Sequence, residues 1–371
     1  MNFKPLSKHF NPAFWICIGT VVLLAGCISA PADKPKKSPK PDIIYWPAPP
    51  ELPRFKYETS LRTTSDFDPA TNMSRLERKL TVGEKTREPA FGKPYAVAAH
   101  GGKIYVTDTV SRRVVVFDAP RRKIYFMGVH ESGALIKPSG IALDDQMRVY
   151  VADVSAKRVN VYDNLGLFLY SVGNSSDLER PTGVAVSPAG DRIYIIDRNR
   201  NENMDHRVVV YDNKGLKLFV IGGRGTGEGQ FNVPVQGAVA PDGTLYVLDA
   251  GNFRVQAFDR DGKFLRAWGK TGNDIGDFVR PRGIAVDNEG NVYVTDAAFG
   301  NVQIFNPKGE LLLPVGYLGT EDRPGIFAMP GGVAVDETGH MYVVDQVFDK
   351  VDVFRRLSKE EGELIIRNSG K

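Results

Sequence analysis

Six aspartates recurring at a near-constant interval are the residues of this 371-residue chain whose type and spacing most invite chemistry. They are Asp108, Asp153, Asp197, Asp249, Asp296 and Asp345, separated by 45, 44, 52, 47 and 49 residues. Each closes an apolar-Tyr-apolar-x-Asp segment, with Tyr105, Tyr150, Tyr194, Tyr246, Tyr293 and Tyr342 in second place. A ring of carboxylates has the hard oxygen donors that suit a divalent cation such as calcium. The spacing of cations argues for a structural role instead. Arg113, Arg158, Arg254 and Lys350 each follow their aspartate by five residues, and Arg207 follows Asp197 by ten because that loop is longer. A short loop between antiparallel strands sets such side chains opposite each other, so each pair is expected to fix its own loop. The fifth copy departs, with Asn301 in the cation's place. Asp296 is then either free to meet a ligand or hydrogen-bonded by Asn301.

The elements that must carry these residues are strands. Upstream of each aspartate stands a proline, usually two residues before a glycine, as in Pro138/Gly140, Pro181/Gly183, Pro281/Gly283 and Pro330/Gly332. The fourth copy has Pro234 with Gly237, one residue late. A short apolar strand and a glycine turn follow, then the Tyr strand, then a strand ending in an aromatic, such as Phe258 or Phe305. A fourth, more polar strand comes last, as in Lys263–Trp268. Each repeat therefore reads as a four-stranded antiparallel sheet. The inner strands are apolar at every position, which marks burial on both faces. A period of 40–50 residues with this pattern predicts an all-β fold, a six-bladed β-propeller of four-stranded blades. Phe55–Leu61 matches the spacing of the fourth strands and is expected to close the sixth blade, with Glu363–Arg367 as its competitor. Ser74 is expected to cap a short helix running to about Val82.

These units resemble NHL repeats. Pro-x-Gly-apolar-apolar-Val-Asp, Tyr-Val-x-Asp and Arg-Val-x-x-Phe carry the likeness over residues 91–356. The resemblance implies a six-bladed propeller and raises three functional precedents. One is a zinc lyase built on several histidines of one rim. Beyond residue 27 this chain has only His100, His130, His206 and His340, and the repeat map puts two on each rim, too few for three-histidine zinc. Another is a lactonase-type hydrolase with a divalent ion on axial carboxylates, the alternative that Asp296 keeps open. The third is RNA binding through a basic rim. The loops hold Arg198, Arg200, Arg280 and Arg282, but also Glu202, Asp205, Asp274 and Asp277. The net charge is only +4, and removal of residues 1–26, with Lys4, Lys8 and no acid, leaves +2. Neither supports a nucleic-acid partner.

The N-terminus reads as an export signal. Lys4, Lys8 and His9 precede the twelve-residue apolar run Phe14–Ala25, a signal-peptide length too short to span a bilayer. Leu24-Ala25-Gly26-Cys27 resembles the lipobox of bacterial lipoproteins, which implies a lipid on Cys27 and a signal peptide of residues 1–26. Ile28 rather than Asp follows the cysteine, favouring the outer membrane in a Gram-negative host. Residues 27–53, rich in Pro and Lys, read as a tether reaching up to roughly 80 Å in polyproline form. Cys17 and Cys27 are the only cysteines, so the domain from 54 to 371 has no disulfide and relies on burial and ring closure.

Repeats depart from their consensus where folding does not need the departure, and function is expected there. The third repeat is enlarged over Arg198–His206 and the fifth lacks its cation. Arg198, Arg200, His206, Arg280, Arg282, Asp296, Phe299 and Phe348 are therefore the candidate binding residues, on the rim formed by the loops between second and third strands. The expected activity is non-catalytic: a lipid-anchored binding or scaffold protein of the cell envelope, without cofactor, engaging a protein or glycan.

Overall fold

Every repeat folds as the pattern requires. The computed structural model describes residues 43–66, 88–130, 132–198 and 206–369. Strands are lettered a to d from the axis outward. Blade 1 comprises Pro94–His100, Lys103–Asp108, Arg113–Asp118 and Lys123–Met127. Blade 5 comprises Pro281–Val286, Val292–Asp296, Asn301–Phe305 and Leu311–Val315. Blades 2, 3 and 4 repeat this order from Pro138, Pro181 and Pro234, and every pairing within a blade is antiparallel. The b strands are buried at every residue except His340, which opens that of blade 6, whereas strand d of blade 4, Phe264–Trp268, alternates between half-buried and exposed. The core accordingly lies between blades, and the b-strand tyrosines are among its largest side chains.

The a strands of neighbouring blades touch one another around the axis. That crowding explains the Pro-x-Gly motif. A Cβ added to Gly283 would lie 2.5 Å from the Gly331 carbonyl oxygen, and one on Gly332 would lie 2.6 Å from the Ala96 Cα. Just ahead of the close approach, the register of strand a shifts in every blade, between the proline and the next paired residue. Such a bulge re-aims side chains at the end of a strand.

The ring closes with the N-terminal strand. Phe55–Leu61 pairs antiparallel with Lys350–Arg356, the c strand of blade 6, and becomes its d strand. The competitor, Glu363–Arg367, lies within a helix, Lys359–Ser369. Its start is fixed by a capping box: the Glu361 amide donates to Ser358 Oγ at 3.2 Å, and the Ser358 amide donates to the Glu361 carboxylate at 2.9 Å. The folded unit also begins earlier than expected, at Ile43. Tyr45–Trp46 adds a short strand outside Phe55–Leu61, and Trp46 is buried edge-on against Phe354 at 5.2 Å. The last residues assigned to the tether are therefore part of blade 6. The export signal, Cys27, the helix from Ser74 to Val82 and Arg200 lie outside the described residues.

Candidate functional site

The repeat aspartates are anchors for backbone, and only two of them pair with the expected cation. Asp249 holds Arg254 at 3.0 Å and Asp197 holds Arg207 at 3.2 Å. Asp108 and Arg113 sit opposite each other in register, yet the carboxylate turns away. It accepts the amides of Gly92, Lys93, Val110 and Ser111, joining the loop before strand a to the loop after strand b. Arg113 instead donates to the Ala90 carbonyl and covers the Phe126 ring at 3.7 Å. Asp153 and Asp345 repeat the four-amide arrangement. Lys350 is drawn off to Asp352 at 2.8 Å and Asp322 at 3.4 Å. Charge-assisted bonds to two loops outweigh a single ion pair at this position.

Asp296 follows the same rule, so it is neither free nor held by Asn301, the two alternatives the sequence leaves open. It is fully buried and accepts the amides of Val279, Arg280, Ala298 and Phe299 at 2.8 to 3.3 Å. Asn301, whose side-chain oxygen is buried without a partner, does not bond it. Loss of the cation in blade 5 therefore leaves no vacancy at Asp296.

What the anchors present is the residue just before each strand a proline, at the inner end of the blade connection. These residues are Lys93, Lys137, Arg180, Val233, Arg280 and Met329, cationic in four blades of six. Lys93, Lys137 and Arg280 are exposed, and Arg180 is half-buried. Because strands a surround the axis, these cations surround one mouth of the axial channel. Inside it, the bulge of blade 5 places Arg282, half-buried, with Nη2 donating to Gln346 Oε1 at 3.0 Å. Burial holds the Arg282 guanidinium below its ordinary pKa against the favourable influence of Tyr95, and the charge of Arg280 adds to the depression. Arg282, Gln346, Tyr95 and Gln236 line a cavity of about 20 Å³. Gln236 reaches the axis because blade 4 carries its glycine one residue late.

The other expected site residues scatter. Arg198 is half-buried at the end of strand b of blade 3, its amide donating to the Arg180 carbonyl. His206 is buried just before strand c. Phe299 and Phe348 are both half-buried, the latter beneath Lys350 Nζ at 5.4 Å. The exposed apolar groups around the mouth are aliphatic: Val110, Ile136, Val279 and Val347. Tyr95, Gln346 and these aliphatics were missed. Aligning the six repeats column by column, at the positions flanking the proline and following the aspartate, would have shown them as the variable ones.

The opposite rim is built differently. Asp144, Asp287 and Asp336 each accept the turn amides two and four residues on, and each also accepts the hydroxyl of its blade's repeated tyrosine, Tyr150, Tyr293 or Tyr342. The histidines there are held in ion-pair contacts, His100 with Glu337 at 3.1 Å and His340 with Glu58 at 3.3 Å. Hydrogen bonding to Asp336 raises the His340 pKa. Among the described residues no three His, Cys, Asp or Glu converge as metal ligands.

The NHL repeat model matches residues 278–305, the first three strands of blade 5 with the residues leading into them. No curated protein matches the sequence. Solved structures do. A gluconolactonase from Xanthomonas campestris is 19% identical with a TM-score of 0.53, over 72% of this chain and 88% of that one. Virginiamycin B lyase from Staphylococcus aureus is 13% identical with a TM-score of 0.54, over 82% and 100%. An auxiliary nutrient binding protein from Bacteroides thetaiotaomicron is 13% identical with a TM-score of 0.53, over 73% and 70%. At such identities the likeness is one of fold. The chain is thus a six-bladed β-propeller with an NHL repeat in its fifth blade, similar in fold to lyases, a lactonase and a binding protein alike.

Proposed function

We propose that this chain is an exported, lipid-anchored binding or scaffold protein that engages a protein or glycan of the cell envelope through the rim around the axial mouth. The observation that carries this reading is the ring of Lys93, Lys137, Arg180 and Arg280 at one repeat position, in front of aspartates whose charge is already committed to backbone amides. A mouth of this kind attracts anionic groups and speeds their encounter. The lactonase-type alternative requires carboxylates at the axis. The donors there are Arg282, Gln346 and Tyr95, which do not fit a divalent cation. The sequence of residues 1–27 supports the anchor.

Affinity capture from membranes tests the reading. Replacing Lys137 and Arg280 by alanine should leave the fold intact and abolish capture, and capture by the unaltered chain should weaken as salt rises. Persistent capture, with sensitivity at His100 and Glu337 instead, would show that the other rim is used. Cys27→Ser should yield an unacylated precursor that keeps its signal; normal acylation would refute the anchor.

A further inference from the structure

We propose that the axial mouth is a carboxylate subsite, with Arg282 and Gln346 as its donors, that takes a carboxylate of a protein partner. The proposal rests on the rim around this mouth being the binding face.

The first observation is a guanidinium without an acid. Arg282 is half-buried, its side-chain bond goes to the neutral oxygen of Gln346, and among the described residues no carboxylate lies within 4.0 Å of it. Half-burying a charge beside a second cation, Arg280, is unfavourable unless an anion completes the set. The second observation is independent. Gln346 is only 8% exposed, and its Nε2 is buried with no hydrogen-bond partner. An amide that donates nothing from a buried site loses free energy that a ligand acceptor would restore.

Both groups line the same cavity of about 20 Å³. That is room for one water-sized atom, hence for one oxygen of a carboxylate entering from the mouth. Gly331 keeps the approach clear: a Cβ there would stand 3.4 Å from Gln346 Nε2. A carboxylate oxygen accepts from Arg282 and from Nε2 together, which satisfies both donors. The surroundings favour a peptide over a sugar acid. Ile136 and Val279, at 50% and 38% exposure, directly precede Lys137 and Arg280 in the chain, and Val110 and Val347, at 64% and 52%, stand exposed in the b–c loops of blades 1 and 6. Apolar side chains flanking a carboxylate are properties of a polypeptide end or of an acidic loop.

The test is an NMR titration of the full chain, following the Arg282 Nε–H and Gln346 side-chain amide signals. N-acetyl-alanine should shift both saturably, and N-acetyl-alanine amide should shift neither. Arg282→Gln should weaken binding at least about tenfold, as expected for loss of a charge-assisted bond. Gln346→Glu should abolish it, because the new carboxylate takes the guanidinium, while the chain stays folded. Equal shifts with the amide, or retained binding in Gln346→Glu, would overturn the subsite. Shifts with galacturonate alone would overturn the peptide assignment in favour of a glycan. If capture depends on Lys137 and Arg280 but no carboxylate perturbs the two signals, the subsite falls and the rim stands. If capture ignores Lys137 and Arg280, the rim itself falls.

Discussion

The two rims of the propeller use aspartate for the same task and end with opposite surfaces. On the rim of the a–b turns, Asp144, Asp287 and Asp336 bind turn amides and a tyrosine hydroxyl, and cations stay beside them: Arg148 at 2.6 Å from Asp144, Arg356 at 3.5 Å from Asp287. Charge there is settled internally. On the rim of the b–c loops, Asp108, Asp153, Asp296 and Asp345 each hold four loop amides, Asp197 and Asp249 hold fewer amides and an arginine, and cations precede the a strands in four blades. One rim closes turns; the other closes loops and leaves a basic mouth. A fold built from copies of one unit acquires a binding face by repeating like charges at one column of the repeat.

Both rims presuppose a closed ring, so the largest effect belongs to closure. Removing residues 43–61 strips Trp46, Phe55 and Leu61 from the core and exposes the edge of Lys350–Arg356. The expected loss is about 5 kcal/mol or more, read by denaturant unfolding, and an unchanged midpoint would show that closure is made otherwise. Asp296→Ala comes next. It removes the fully buried acceptor of four partly buried amides and should cost about 3 kcal/mol. Loss of binding with stability intact would restore Asp296 as a ligand residue and break the comparison.

Smaller effects sharpen it. Tyr293→Phe removes the hydroxyl donated to Asp287 and should cost about 1–2 kcal/mol, with membrane capture unchanged. The His340 contact should appear as a mild pH dependence. Its folded pKa is raised above 6.5, so the protonated form is stabilised by folding. That contribution is full below the unfolded pKa and fades as pH rises through the higher folded value. A stability-against-pH curve should therefore decline above about 6.5, and His340→Gln should flatten it. Smallest of all in stability, Lys137→Ala with Arg280→Ala should change unfolding by less than about 0.5 kcal/mol. A large destabilisation would make those cations structural and erase the difference between the rims.

Much of this was legible beforehand because it is periodic. Blade number, strand order and the strand at Phe55–Leu61 follow from spacings that repeat six times. The helix at Lys359–Ser369 was legible too, through Ser358 and Glu361, but its apolar residues invited a strand reading. Asp296 was misjudged because register fixes which residues are opposite, whereas the destination of a side chain depends on which donors lie nearest. For Asp108 and Asp153, as for Asp296, those donors are amides of two loops that the linear pattern does not bring together.

The sequence by itself determined the repeat, since burial on both faces of a strand and turns at fixed offsets are local and leave a composition signature. It also determined where the repeat is broken, by the enlarged loop of the third copy and by Asn301 in the fifth. Only the tertiary structure decided that Arg282 meets Gln346, 64 residues away. That meeting depends on blades 5 and 6 packing their a strands glycine to glycine, Gly283 against Gly331 and Gly332, and on a bulge that turns one side chain toward the axis. Packing between blades is non-local, so no single repeat encodes the site it helps to form.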